Sequence, residues 1–142
     1  MVNATIGDRG AGTLEITNGG AVNDTNATVG AQPGSSGTVI VDGSDSQWTN
    51  TGSLEVGPAG SGLVDVSDGG INVADDGTTI GPNGILTGNA TITTPILINN
   101  GTVVPAGPGG TPGTLTLNGN YQQGPSGVLD TEIGGPQPSQ AD

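Results

Sequence analysis

Carboxylates are the only side chains in this sequence dense enough to suggest chemistry. There are 13 Asp and Glu residues against a single basic residue, Arg9, and there is no His, Lys or Cys. Proton transfer and nucleophilic attack usually fall to His, Lys or Cys, or to two carboxylates held at a set separation. The close carboxylates are Asp75–Asp76 and Asp42/Asp45. Neighbours on a strand point to opposite faces, which is wrong for an acid and a nucleophile serving one substrate, although at a turn Asp75 and Asp76 could converge. No catalytic residue is assigned, and the chain is expected not to be an enzyme. Ca²⁺ is the other use for such oxygens, with Asp42, Asp45, Asp68, Asp75 and Asp76 as candidate ligands. Yet the repeated G-G-x-G-x-D of calcium-binding β-helices is missing. Solvated turns explain these residues better, because Asx-Gly suits positions that need φ > 0, as in Asn18-Gly19, Asp42-Gly43, Asp68-Gly69, Asn100-Gly101 and Asn118-Gly119. No cofactor is therefore expected. Trp48 is the one candidate platform for stacking a sugar ring, although its place in a column with Val22 and Val73 favours packing.

Whatever these residues do, something must position them, and the composition poses that question sharply. With 29 Gly, 10 Pro, a net charge of −12 and one Trp, one Tyr and no Phe, the chain has the make-up of a disordered segment unless a period organises it. A period exists. Gly12, Gly37, Gly62, Gly88 and Gly113 each open an apolar-alternating run, at intervals of 25, 25, 26 and 25. Two residues on come Leu14, Val39, Val64, Ala90 and Leu115, then Ile16, Val41, Val66, Ile92 and Leu117. The residues between are Glu15, Ile40, Asp65, Thr91 and Thr116, mostly polar. This is the alternation of a strand with one buried face. Two more columns recur: Ile6, Val29, Val56, Ile80 and Val104, and Val22, Trp48, Val73, Ile98 and Tyr121.

Each unit thus holds three short strands between Gly, Pro, Asn and Asp corners. Propeller blades and leucine-rich repeats do not fit that unit, and the glycine density opposes helices. The expected fold is all-β: a right-handed parallel β-helix (β-solenoid) of about five coils of ~25 residues, three strands each. It is expected as one domain over residues 1–135. Coils would start near 4, 27, 52, 78 and 102, with a partial one at 127; residues 136–142 read as a linker or arm. A polar column, Asp24, Asn50, Asp75 and Asn100, would keep like charges two coils apart, roughly 10 Å.

Residues 37–70, GTVIVDGSDSQWTNTGSLEVGPAGSGLVDVSDGG, resemble the autotransporter-associated β-strand repeats in passenger regions of bacterial autotransporter-like surface proteins. Those run as a Gly-Thr strand, Val-Asp-Gly, Trp-Thr-Asn, Leu-x-Val-Gly and a second strand ending in Gly-Gly. The stretch GTLTLNGNYQQGPSGVLDTEIGG is similar to the segment that closes such arrays. The resemblance implies a secreted right-handed β-helix serving as a stalk or adhesin-like surface element. The family's translocator barrel and N-terminal cap have no counterpart in the sequence, which suggests a fragment or a different exported group.

The acidic balance excludes nucleic acid as a partner, since Arg9 alone cannot neutralise a phosphate backbone. No apolar run approaches the roughly 18 residues that span a membrane. The expectation is a secreted or cell-surface structural protein, a β-helical subunit of an extracellular filament or surface layer. Self-association would run head to tail through open strand edges. The alternative is an adhesin or stalk segment of an autotransporter passenger that binds glycan or host surface.

Overall fold

The computed structural model describes residues 2–132, so the Gly135 boundary and the expected arm at 136–142 lie outside the described residues. Strands form where apolar and polar residues alternate. In Ser36–Asp42, Gly37, Val39 and Val41 are buried while their neighbours face outward, and Ser61–Ser67 repeats the pattern. The first coil is β1 (Ala4–Ile6), β2 (Ala11–Ile16) and β3 (Ala21–Asp24); the second is β4 (Ala27–Val29), β5 (Ser36–Asp42) and β6 (Gln47–Asn50). The third is β7 (Ser53–Val56), β8 (Ser61–Ser67) and β9 (Gly70–Val73). Then come β10 (Gly77–Ile80), β11 (Gly84–Gly88), β12 (Thr91–Asn99), β13 (Thr102–Pro105), β14 (Thr116–Gln123) and β15 (Val128–Leu129). A 3₁₀ turn at Pro108–Gly110 interrupts the strands, and the described residues contain no α-helix.

Every strand-to-strand ladder is parallel, and each strand pairs with its counterpart one coil away. The result is a β-solenoid of about 5 turns with three faces. Face A stacks β1, β4, β7, β10 and the second half of β12; face B stacks β2, β5, β8, β11, β13 and β15; face C stacks β3, β6, β9 and the first half of β12. β14 covers both halves of β12. At about 4.8 Å per coil the six face A strands make a rod of roughly 24 Å.

The core is a set of columns along this rod. On face A, Ile6, Val29, Val56 and Ile80 lie in register. On face B, Leu14, Val39, Val64, Leu86, Val103 and Leu129 do so. On face C the column is Val22, Trp48, Ile71, Ile92 and Leu117. Val39, Val64, Trp48, Val56 and Ile80 are wholly buried.

The corner between faces A and B explains the recurrent glycines. Gly7, Gly30 and Gly57 take φ of 74°, 74° and 64°. A Cβ on Gly37 would sit 2.1 Å from the Ile6 carbonyl oxygen, and one on Gly84 2.1 Å from that of Val56. Neighbouring coils pass too closely there for any side chain.

The expected register holds for three coils and then shifts. Gly12, Gly37 and Gly62 align as expected, but their next partner is Gly84 and not Gly88. The coil step on face B is 25 residues from Ala11 to Ser36, 22 from Gly62 to Gly84, 17 from Ile85 to Thr102 and 26 from Thr102 to Val128. The 17-residue step arises because β12 runs from face C straight onto face A, bending at a bulge between Thr93 and Ile96 that contains Pro95. The 22-residue step reflects shorter corners, such as the two residues between β8 and β9 where four separate β5 from β6. Ile92 and Leu117 consequently belong to face C, under Trp48 and Ile71, and not beside Val66. Face A reaches its fifth and sixth strands at Leu97 and Tyr121, while Thr102 and Val128 open on face B. The four-rung polar column also shortens. Asp24 aligns with Asn50, but Asn50 faces Val73, and Asp75 and Asn100 lie elsewhere.

Candidate functional site

The candidate carboxylates fall into two groups. Asp42, Asp45 and Asp68 occupy the corner between faces B and C, where Asp42 and Asp68 form a bridge. This corner is held by its own turn chemistry. The Ser46 hydroxyl donates to the Asp42 carbonyl at 2.6 Å and accepts from the Gly19 N–H at 3.2 Å. Asp68 sits at φ 59°, its N–H donating to Asn89 Oδ1 at 3.2 Å and its Oδ1 accepting from Asn89 Nδ2 at 3.3 Å. Asp75 and Asp76 lie at the other end of β9, where the Asp76 N–H donates to the Gly52 carbonyl. Among the described residues, no three acidic side chains gather into a metal-sized cluster.

Trp48 takes the packing role that its column favoured over a sugar platform, with Ile71 and not Val73 as its neighbour in the next coil. Its ring is wholly buried in the face C column and leaves no face for a ligand, and its indole N–H donates to Asp24 Oδ2 at 2.9 Å. Asp24 is itself almost fully buried. Burial pushes its carboxyl up from the usual range, and the hydrogen bond from Trp48 offsets part of that rise. Asn50 stacks directly on it and is also completely buried. Asp24 Oδ1 and both polar side-chain atoms of Asn50 have no hydrogen-bond partner among the described residues. The Asp24–Asn50 pairing was legible from spacing; the indole contact was not, since it needs the side chains' direction.

The two ends of the described stack are the remaining sites with distinctive geometry. At one end β1, β2 and β3 each pair on one side only, and Ala4, Ile6, Leu14 and Val22 line a depression of about 370 Å³. At the other end, β15 and β14 are the outermost strands. Leu97, Val103, Leu117, Tyr121 and Leu129 line an apolar depression of about 240 Å³ there. Tyr121 lines this depression and is 39% exposed.

A polar latch that spacing did not suggest closes the face A column at this end. Asn99 takes the position above Ile80, and Gln123 the position above Asn99. Asn99 Nδ2 donates to the Val128 carbonyl at 2.8 Å and to the Tyr121 hydroxyl at 3.0 Å, while its Oδ1 accepts from the Gly101 N–H at 3.1 Å. The Tyr121 hydroxyl in turn donates to Gln123 Oε1. The latch ties two successive turns of backbone together where the apolar column gives out. In comparisons with known proteins, no family model, no curated protein and no solved structure matches the chain.

Proposed function

We propose that this chain is a non-catalytic structural element, a β-helical subunit that builds an extracellular filament or surface layer by stacking end to end. The observation that carries this reading is the pair of open ends. Among the described residues, the strands at each end of the stack carry a ladder on one side only, around depressions lined by interior apolar side chains, and parallel edges of this kind are templates for a further coil. A contact between unlike ends does not close on itself and so propagates. The extracellular setting draws its support from the resemblance of residues 37–70 to autotransporter-like passenger repeats. The adhesin alternative loses its aromatic platform with the burial of Trp48.

Electron microscopy and sedimentation velocity over a concentration series test the reading. Unbranched rods a single coil in width, growing in length with concentration, are expected. A species that stays monomeric at the highest attainable concentration overturns it.

A further inference from the structure

We infer, on the footing of the end-to-end reading, that a second copy of this chain docks with its β1–β2 edge against the β14–β15 edge, and that Glu15 and Asp130 form an electrostatic brake at that joint. The columns supply the register. On face B the interior column ends at Leu129 on one side and begins at Leu14 on the other, so continuing it places Leu14 of the next copy on Leu129. On face A the same continuation places Ala4 over Tyr121, because Ala4, Ala27 and Leu54 align, as do Thr78, Leu97 and Tyr121. Leu14 on Leu129 and Ala4 over Tyr121 set apolar on apolar, while Ile6 of the next copy falls on Gln123, the polar end of the face A column. The joined strands are those with a single ladder among the described residues.

The outward column beside them behaves differently. Glu15, Ile40, Asp65, Thr87 and Val104 lie in register. The Asp130 N–H donates to the Val103 carbonyl at 2.9 Å, which extends the ladder one step and sets Asp130 beside Val104. Within the chain the two aligned acids, Glu15 and Asp65, are kept two coils apart by Ile40. Across the joint no spacer remains, and Asp130 of one copy meets Glu15 of the next at one coil spacing, roughly 4.8 Å. Among the described residues, no basic side chain pairs with either acid. The strands packed on Glu15 and Asp130 present Ile40 and Val104 in register, Glu132 lies two residues beyond Asp130, and Arg9 stands 3.9 Å from Asp8 in its only ion pair among the described residues.

The test compares association constants from sedimentation velocity for the full chain and its variants. Two unit charges one coil apart in water correspond to a change of about four-fold, so Glu15→Gln and Asp130→Asn should each raise association by about that factor. Glu15→Lys should raise it further, and Glu15→Lys combined with Asp130→Lys should return it towards the starting value by restoring a like-charge pair. Asp65→Asn removes the same charge away from the joint and should leave association near the parent value. A double-lysine variant that associates more tightly than either single one overturns the brake, because only total charge would then matter. Stacking that ignores all these changes overturns it while leaving the end-to-end reading intact. A set of variants that never associates overturns both.

Discussion

Asp24 is the carboxylate whose environment the fold changes most, and its consequence can be signed. Its folded-state titration lies above the usual range because burial disfavours the charged form, with the Trp48 hydrogen bond only partly compensating. A group whose pKa rises on folding contributes stability that is fully present below its unfolded value, about 3.9, and is lost as pH rises through the folded value. Asp24→Asn keeps the shape and an acceptor for the indole but removes the titration. The variant should therefore gain on the parent between about pH 3 and about pH 7, read as the difference in urea midpoint between the two proteins. A difference that stays flat over this range sinks the assignment. Trp48→Ala removes a wholly buried ring and should cost about 3–5 kcal/mol of unfolding free energy, measurable in the same titrations.

Corners and strands differ in how openly the sequence declares them. The first three coils are legible because their alternating runs recur at 25 residues and their glycines are required by close backbone passage, as at Gly37. The later coils are not, because a corner on the surface can shorten without disturbing the columns it connects. β12 dispenses with a corner loop altogether, and in a glycine-rich chain Gly88 imitates the opening glycine that Gly84 supplies. The same ambiguity hid Asn99, which stands five residues before Val104, the residue that the recurring column assigns to face A. Asn18-Gly19 adopts positive φ at both residues, as its turn chemistry required, whereas Gly119 takes its φ of 150° inside β14, over the β12 bulge. The corner argument makes its own prediction. Gly37→Ala should destabilise by about 3 kcal/mol, at the top of the overpacking range, because the obstruction is a backbone carbonyl that cannot rotate away. Gly34→Ala has open space around its Cβ but a φ of 82°, so its cost is limited to backbone strain of about 1–2 kcal/mol. Thermal or urea unfolding of the two variants side by side checks the order, and equal losses would contradict the close-passage account.

Over the whole molecule, each coil touches only the coils beside it, so stability is a sum of local terms and nearest-neighbour interfaces. Coils in the middle have two such interfaces and those at the ends have one. The core reflects this: Val39, Val41, Val64 and Val66 on β5 and β8 are wholly buried, while Leu129 on β15 is 49% exposed and Leu14 on β2 is only partly buried. Amide hydrogen exchange should therefore be slowest in β5 and β8 and fastest in β1 and β15, as expected where opening proceeds from an end. β14 should be slower than its position alone implies, because Asn99, Tyr121 and Gln123 latch its far half to β12 and to the Val128 carbonyl. Uniform protection from β1 to β15 would mean that the stack opens as one cooperative unit and would remove the basis for treating its ends as separate sites. If a second copy docks on those ends, raising the protein concentration should slow exchange at β1, β2 and β15 while leaving β5 and β8 unchanged. That pattern separates end-to-end growth from lateral association, in which the outward residues of the three faces would gain protection along the whole rod.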